Sequence, residues 1–281
     1  MPAYTCFDLE IDGAIAHLRL NRPEKANSMI PEFWLELPAV VNDLSDNAKA
    51  RVLVISSEGK HFSAGMDLSV FTQGALDADP DNPQLSAEAF RHNTTRLQDS
   101  FSALEKARMP VLCALQGGVI GGAVDMVTAA DCRYASEDAY FVIQETALGM
   151  TADVGTYPRL CKLMPEGWVR QMSYTAEKLT AHKAKELGLV NDVYATADEC
   201  LEATMEVAKR IAANSPLAIT GAKRMINYAR DHSTADALDY IVTWNAGMLR
   251  GEDIRESFMA KSEKRAPNYQ DLRPLRSLAN D

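Results

Sequence analysis

Three acidic residues stand out because they lie in segments that are otherwise small, apolar and rich in glycine: Asp125, Glu145 and Asp153, which are 20 and 8 positions apart. A carboxyl group that loses hydration in such surroundings is harder to ionise, and it can then exchange a proton near neutral pH. Asp125 is the clearest case, because the predicted helix "GGAVDMVTAA" is apolar on every other side and a buried, unpaired carboxylate is costly. The three residues are therefore candidates for acid–base catalysis.

Each acid also has a purely structural interpretation. Asp125 would accept backbone N–H groups, and Glu145 would mark the exposed end of a strand. Asp153 would cap a helix that begins in "VGTYPRL". The residues alone leave both interpretations open.

Two glycine-containing turns are suited to supplying backbone N–H groups. Gly65 lies at the centre of "KHFSAGMDLS", and Gly121 and Gly122 precede the helix that carries Asp125. Glycine lets other atoms approach the backbone closely, and two converging N–H groups form an oxyanion hole, which stabilises an enolate. The spacing leaves open whether the two turns meet.

The elements that must position these residues alternate between strand and helix. "FDLEIDGAIAHLRLN" predicts a hairpin around Asp12-Gly13, and an amphipathic helix follows from about Pro31. "RVLVISS" and "MPVLCALQG" predict strands buried on both faces, with a long helix between them, and "DCRYAS" and "AYFVI" predict short strands. From about Lys178 onward the pattern predicts almost only helix. The layout indicates an α/β core followed by a helical tail.

One helix of this tail has clear signals. Ser215 is predicted as its N-cap and Pro216 as its first residue. Its predicted apolar stripe consists of Ala218, Ala222, Met225, Ile226 and Ala229.

Composition narrows the range of partners. The 281 residues carry a formal net charge of −10, which disfavours a nucleic acid or an anionic membrane as the main partner. No apolar run approaches the length of a membrane span, and the five histidines lack metal-ligand spacing, so we expect neither a membrane segment nor a metal site. The five cysteines form no CxxC motif, and "MPAYTCFDLEIDG" has no signal-peptide pattern. We therefore expect free thiols in a soluble, cytoplasmic protein.

Four segments resemble, in order, those of the crotonase (enoyl-CoA hydratase/isomerase) superfamily: "NRPEKANSM", "HFSAGMDL", "PVLCALQGGVIGGAVDMVTAADCRYAS" and "LGMTADVGTYPRL". The resemblance extends over essentially the whole chain. It implies an α/β spiral of ββα units with an acyl-CoA site over residues 1–205, and a C-terminal helical region over residues 206–281. That region would build a homotrimer, or a hexamer as a dimer of trimers.

The resemblance also implies roles for residues of the glycine turns. In the family the thioester carbonyl lies between two backbone N–H groups, which by position belong to Met66 and Gly122. The residues that match segments contacting coenzyme A or substrate are Lys25, Ala26, Ala64, Gly65, Asp67 and Leu68. For Lys25 a role in contacting phosphate is favoured over the alternative of an exposed loop lysine. Coenzyme A is part of the substrate, so no separate cofactor is expected, and residues 70–105 are expected to form the walls that select the acyl chain.

The acids indicate a subfamily. Hydratases of this superfamily resemble one another in having glutamates at the positions of Asp125 and Glu145, and usually a glycine at that of Asp153. The three acids found here resemble instead those of the Δ3,5-Δ2,4-dienoyl-CoA isomerases. Glu145 and Asp153 would then be the two ends of a proton shuttle between C2 and C6, which are roughly 5 Å apart, with Asp125 tuning their charge. Which acid acts at C2 is left open.

Three other functions stay open at this point. An enoyl-CoA hydratase would use Asp125 and Glu145 to position a water molecule. A CoA-thioester hydrolase or dehalogenase would use Asp153 as a nucleophile. A non-catalytic assembly or RNA-binding homologue would use none of the acids, although the negative net charge disfavours RNA.

Overall fold

The computed structural model describes residues 4–72 and 79–275. Within them, the strands are β1 (Phe7–Asp12), β2 (Ile15–Leu20), β3 (Val52–Ser57), β4 (Val111–Leu115), β5 (Gly118–Ile120), β6 (Cys132–Ser136), β7 (Tyr140–Val142), β8 (Leu179–Thr180) and β9 (Asp192–Tyr194). The helices are α1 (Pro31–Asp46), α2 (Leu68–Thr72), α3 (Pro83–Lys106), α4 (Gly122–Thr128), α5 (Thr156–Leu160), α6 (Glu166–Thr175), α7 (Ala181–Glu186), α8 (Ala197–Ala212), α9 (Pro216–Asp231), α10 (Thr234–Met248) and α11 (Gly251–Glu263). Short 3₁₀ helices cover Pro23–Lys25 and Glu145–Leu148.

The strands form two sheets that are connected as a spiral. The large sheet has the order β1-β2-β3-β4-β6-β9, and the small sheet has the order β5-β7-β8. The chain passes from β4 in the large sheet to β5 in the small sheet and then to α4, and it repeats this path through β6, β7 and the helices that follow. The predicted α/β spiral of ββα units is confirmed.

The central strands β3 and β4 of the large sheet are buried on both faces, as their apolar runs predict. In β3, Leu53 and Ile55 belong to the main core, which includes α1 and the end of α3. Val52 and Val54 point the other way and pack with Cys200 of α8 in a second cluster. This arrangement follows from the period of two in a strand, which places successive side chains on opposite faces. No helix among the described residues is long and apolar enough to cross a membrane.

The C-terminal part departs from its prediction, because it contains strands as well as helices. β8 and β9 lie beyond Lys178, and β9 pairs with β6 at the edge of the large sheet. Strands of two and three residues are too short to show an alternating pattern, so only their tertiary pairing reveals them. The predicted domain boundary at residue 205 falls inside α8 and stays a prediction. Residues 73–78 of the predicted pocket wall and residues 276–281 of the helical region lie outside the described part of the chain.

A buried lysine fixes α9 to the core. The ammonium group of Lys223 donates to the backbone oxygens of Leu104 and Met109 at 2.8 and 3.1 Å, and to the carboxylate of Asp131 at 2.7 Å. The same Asp131 oxygen accepts the N–H of Val111 at 2.7 Å. Burial lowers the pKa of Lys223, while the negative charge of Asp131 opposes that change. All three donor positions of the ammonium group are thus matched to acceptors.

We expect the substitution Lys223→Met to destabilise the fold by about 3 kcal/mol, because it removes the ammonium group from two carbonyls and from the Asp131 carboxylate, which keeps the Val111 N–H but loses its counter-charge. The free energy of unfolding from urea titration measures this loss. The matched control is Lys209→Met, since Lys209 forms an exposed ion pair with Glu206 at 2.6 Å. An exposed pair contributes at most about 1 kcal/mol. Equal losses in both variants would contradict a stabilising role of the buried pair.

Candidate active site

The site begins where three neighbouring segments of the small sheet end. Ser63 forms a parallel bridge with Val119 of β5, and β5 pairs in parallel with β7. The N–H of Gly121, just after β5, donates to the oxygen of Val142 at the end of β7, at 2.9 Å. Because the carboxyl ends of parallel strands lie at one edge, the loops that follow Ser63, β5 and β7 come together there. Those loops carry the predicted oxyanion-hole residues and Glu145.

The two glycine turns meet, which the sequence could not establish. A Cβ atom on Gly65 would lie 3.0 Å from the nitrogen of Gly122, and a Cβ atom on Gly122 would lie 3.7 Å from the nitrogen of Met66. Neither the Met66 nor the Gly122 N–H donates a hydrogen bond to any other described residue. Two adjacent backbone donors without a protein acceptor are suited to binding one oxygen atom with developing negative charge.

Asp125 lies beneath this turn and is 1% exposed. One oxygen of its carboxylate accepts the N–H of Thr156 at 2.6 Å. Burial raises the pKa of Asp125 to about 6; the hydrogen bonds from Thr156 and the charge of Arg159 oppose this change, and the charge of Asp153 adds to it. Its carboxyl group thus links α4 to the start of α5.

Glu145 begins the 3₁₀ turn after β7, and its carboxyl group points back toward the glycine loop. Its Oε1 atom would lie 3.2 Å from a Cβ atom on Gly121, so a side chain at position 121 would press against it. Its Oε2 atom is buried and has no hydrogen-bond partner. Burial, then the charge of Asp125, and also the charge of Asp153 raise the pKa of Glu145 to about 7. A carboxyl group with one unpartnered oxygen and a pKa near neutrality can serve as acid or base. The alternative of an exposed strand end is wrong.

Asp153 completes the group of acids from the loop before α5. Its side chain reaches solvent in the single chain, although partial burial raises its pKa. Its backbone oxygen accepts a hydrogen bond from the amide of Gln98 in α3 at 2.7 Å. The N-cap of α5 is Gly155 and receives no side-chain hydrogen bond, so the alternative of Asp153 as a helix cap is wrong. Since the charges of Asp125 and Asp153 both act on Glu145, the structure brings the three acids together.

The residues predicted to contact coenzyme A form two paired loops. Ala26, in a left-handed conformation with φ 49°, accepts the N–H of Ala64 at 2.9 Å through its backbone oxygen. Lys25 beside it is exposed, and so is Leu68 on the other loop. The carboxylate of Asp67 is instead occupied within the protein. It accepts the hydroxyl of Ser28 at 2.6 Å, and this and other hydrogen bonds lower the pKa of Asp67 to about 2. The loops adjoin Met66, a predicted oxyanion-hole residue, and the Asp67 carboxylate holds them together.

Two neighbours of the acids were not predicted from the sequence. Thr156 supplies the N–H that Asp125 accepts, and Arg159 lies close enough for its charge to lower the pKa of Asp125. Both occur in the segment "VGTYPRL", but nothing in their type or spacing connects them to an acid 31 or more positions earlier. No group of three or more His, Cys, Asp or Glu residues in the described ranges could hold a metal ion.

The raised pKa of Glu145 has a consequence for stability. Its pKa is about 7 in the folded protein and 4.5 ordinarily, so the folded state holds the proton more tightly than the unfolded chain. Stability is then lost as pH rises from about 4.5 to about 7. Glu145→Gln cannot ionise at this position. As pH rises from 5 to 8, we expect its free energy of unfolding to increase by about 2 kcal/mol relative to that of the wild type.

Denaturant titrations of both proteins at the two pH values measure this gain. The matched control is Glu202→Gln on α8, because Glu202 is exposed. The free energy of unfolding of Glu202→Gln should differ from that of the wild type by the same amount at both pH values. A Glu145→Gln difference that is independent of pH, or that falls as pH rises, would contradict a buried carboxyl group with a raised pKa.

The chain is similar to several known proteins. Residues 10–273 match the protein family described as enoyl-CoA hydratase/isomerase. The chain is 38% identical over 252 residues to the mitochondrial Delta(3,5)-Delta(2,4)-dienoyl-CoA isomerase of Pongo abelii. The matched residues make up 89% of this chain and 77% of that protein. It is 36% identical over 262 residues to the peroxisomal Delta(3,5)-Delta(2,4)-dienoyl-CoA isomerase of Arabidopsis thaliana, covering 93% and 94% of the two chains.

A solved structure supports the fold independently. The crystal structure of an enoyl-CoA hydratase from Bacillus anthracis superposes with a TM-score of 0.84 at 28% identity, covering 94% of this chain and 99% of that chain. The predicted crotonase-like fold is therefore confirmed by similarity in sequence and in structure.

Proposed function

Because the chain belongs to the enoyl-CoA hydratase/isomerase family, we propose that this enzyme converts a 3,5-dienoyl-CoA into the 2,4-dienoyl-CoA. One observation carries the proposal. The carboxyl group of Glu145 lies against Gly121, the residue before Gly122 in the turn that meets Met66, and within electrostatic reach of Asp153. A thioester oxygen held by the two N–H groups would therefore present its adjacent carbon to Glu145, and the diene beyond it to a second acid.

The first step is removal of a proton from C2. Glu145 takes this proton in its ionised form, because its Oε1 atom lies beside the oxyanion-hole turn and its Oε2 atom has no competing hydrogen bond. The electron pair of the broken C–H bond spreads through the 3,5-diene to the thioester oxygen. The N–H groups of Met66 and Gly122 stabilise the charge on that oxygen.

The second step is addition of a proton at C6. Asp153 donates it, and the electrons return from the oxygen to form double bonds at C2–C3 and C4–C5. C2 and C6 are roughly 5 Å apart, a span that two carboxyl groups cover more easily than one. Asp153 reaches solvent in the single chain and can regain its proton there, while Glu145 must lose its own before the next turnover.

Asp125 supports the pair without contacting the substrate in this proposal. Its carboxylate is buried and holds the N–H of Thr156, so it fixes the start of α5. Its charge also raises the pKa of Glu145. Glu145 and Asp153 share protons as a coupled set, and the first step requires the state in which Glu145 is ionised and Asp153 holds the proton. The raised pKa of Glu145 lowers the population of that state at neutral pH, and it also makes the ionised Glu145 a stronger base.

An enoyl-CoA hydratase is the nearest alternative. The chain is 28% identical over 258 residues to the short-chain-enoyl-CoA hydratase of Clostridium acetobutylicum. Hydration would require Asp125 and Glu145 to position a water molecule together. The burial of Asp125 and its hydrogen bond to Thr156 disfavour that role, because one of its oxygens is already occupied.

The binding of the substrate follows from the paired loops. We propose that Lys25, Ala26, Ala64, Gly65, Asp67 and Leu68 line the path of coenzyme A. Lys25 would contact phosphate with its exposed ammonium group, whereas Asp67 would act by holding the loops. The reaction moves a proton and exchanges no electrons with another molecule, so it needs no separate cofactor. The cytoplasmic location stays a prediction.

We also propose a homotrimer, or a hexamer built from two trimers, because the C-terminal helices expose large apolar side chains. Leu238 and Val242 of α10 are 61% and 66% exposed, and Phe258 of α11 is 71% exposed. Exposed apolar surface of this kind commonly marks a protein interface. Light scattering should give a mass three or six times that of the chain, and a monomer would contradict the proposal.

The function is tested by mixing the purified protein with a 3,5-dienoyl-CoA and following the ultraviolet absorbance of the conjugated 2,4-dienoyl thioester. A parallel reaction contains a 2-enoyl-CoA and measures hydration. We expect rapid isomerisation and little hydration. Rapid hydration without isomerisation would establish the hydratase instead.

A further inference from the structure

The last three turns of α3 carry a row of polar residues that contact the segment of Asp153. Gln98, Ser102 and Glu105 are four and three positions apart, so they lie on one face of the helix. Gln98 donates to the backbone oxygen of Asp153 at 2.7 Å. Arg159 donates to Ser102 at 3.1 Å and to Glu105 at 2.7 and 2.9 Å. The row thus holds the segment 153–159 at both of its ends.

This row is itself fixed from the other side by α9. Arg230 forms an ion pair with the Oε1 atom of Glu105 at 2.9 Å, and the amide of Asn227 donates to the Glu105 backbone oxygen at 3.1 Å. The side chains of Glu105 and Arg159 are 17% and 11% exposed, so their pairing is largely shielded from water. The end of α3 therefore provides a rigid support.

The middle of the segment is held as well. Gly155 adopts φ 141°, and a Cβ atom there would lie 1.9 Å from the guanidinium of Arg159. The next residue, Thr156, donates its N–H to Asp125. The segment is thus close-packed from Gly155 to Arg159, and its contact with α3 at the Asp153 end is the amide of Gln98.

We propose that Gln98 is a positioning residue, whose hydrogen bond to the backbone of Asp153 sets the Asp153 carboxyl group at the distal carbon of the substrate. The inference rests on the proposed function. Because Gln98 binds the main chain and leaves the carboxyl group free, it acts on where the proton is delivered. A misplaced donor slows the proton transfer without weakening the binding of the coenzyme A part of the substrate.

The test is a double-mutant cycle with Gln98→Met, which retains the length of the side chain and removes the donor. In the wild-type background we expect kcat to fall roughly 3- to 10-fold, with KM changed less than twofold. In the Asp153→Asn background we expect no further fall, because the group that Gln98 positions is already absent. An unchanged kcat in the first background, or the same fall in both backgrounds, would overturn the proposal.

Gln171→Met is the matched control, since Gln171 is an exposed residue of α6 whose amide donates to the carboxylate of Glu177 at 2.5 Å. We expect it to change neither kcat nor KM. A fall equal to that of Gln98→Met would assign the effect to the loss of any exposed amide and overturn the proposal.

Amide hydrogen exchange of residues 151–156 separates this inference from the proposed function, since it needs no substrate. Gln98→Met should exchange faster than the wild type there, and Gln171→Met should not. If the wild type isomerises but Gln98→Met leaves both exchange and kcat unchanged, the inference is wrong and the proposed function stands. If exchange rises in Gln98→Met but the wild type does not isomerise the substrate, the proposed function is wrong. The hydrogen bond from Gln98 to Asp153 then exists but has no role in this reaction.

Discussion

Replacing Asp153 with Asn is expected to lower kcat for the conversion of 3,5-dienoyl-CoA to 2,4-dienoyl-CoA by about 100-fold or more, the usual contribution of a positioned acid or base. The amide retains the size of the side chain but cannot deliver a proton to C6. The KM should change little, because Asp153 lies on a different loop from the residues proposed to contact coenzyme A. The absorbance of the conjugated product measures the rate.

Deuterium incorporation distinguishes the two acids. In D₂O, Asp153→Asn should still exchange the C2 proton through Glu145, while the product fails to form. Glu145→Gln should lose both exchange at C2 and product formation, because the base itself is missing. Exchange at C2 that survives in Glu145→Gln and disappears in Asp153→Asn would reverse the assignment of the two acids.

Asp198→Asn provides the control for this prediction, since Asp198 is an exposed carboxylate in the first turn of α8. Its rate should equal that of the wild type. Full isomerase activity in Asp153→Asn would contradict the shuttle. A covalent ester on Asp153, detected by mass spectrometry after reaction with a haloacyl-CoA, would instead support the dehalogenase, because the carboxylate would have displaced halide from carbon. Attack on the thioester carbonyl would release coenzyme A and leave an acyl anhydride on Asp153, which would support the hydrolase.

The non-catalytic alternative has its own test. Labelled RNA at physiological salt should not bind, because 39 Asp and Glu outnumber 29 Lys and Arg and the formal net charge of −10 repels phosphate. Tight binding of RNA by a protein without isomerase activity would favour an RNA-binding homologue.

Much of the fold could be predicted because its strands and caps have local signals. The hairpin around Asp12-Gly13 is β1–β2, and Ser215 caps α9 by accepting the N–H of Ala218. The predicted apolar stripe of α9 was less informative. Ile226 is 68% exposed, whereas Lys223 on another side of the helix is buried. Hydrophobic periodicity cannot anticipate a buried lysine, because its burial depends on acceptors distant in the sequence, such as Asp131.

The site could be predicted only in part for the same reason. Resemblance identified Glu145 and Asp153, but their surroundings depend on β5, which has three residues, and on the single bridge from Ser63. Such short pairings produce no pattern of their own. The contact of Gln98 with Asp153 spans 55 positions and uses a backbone acceptor, so no property of either residue indicated it.

The contact between the two glycine turns predicts that a substitution at Gly65 strongly lowers kcat. Gly65→Ala is expected to lower kcat by about 100- to 1000-fold, the usual loss when an oxyanion-hole donor is displaced. Gly65 has φ +79°, and a Cβ atom there would lie 2.5 Å from the oxygen of Ile120 and 3.0 Å from the nitrogen of Gly122. Both neighbours are backbone atoms, so the turns must separate, and the N–H groups of Met66 and Gly122 can then no longer converge on one oxygen.

Gly13→Ala is the control, because it introduces the strain of a positive φ without the steric clash expected in Gly65→Ala. Gly13 in the β1–β2 turn has φ +55°, and a Cβ atom there meets nothing within 4 Å. Gly13→Ala should cost about 1 kcal/mol of stability and leave kcat unchanged, whereas Gly65→Ala should lose activity even where circular dichroism shows it folded. If folded Gly65→Ala retained the wild-type kcat, the thioester oxygen would have to bind elsewhere, and the placement of C2 beside Glu145 would fail with it.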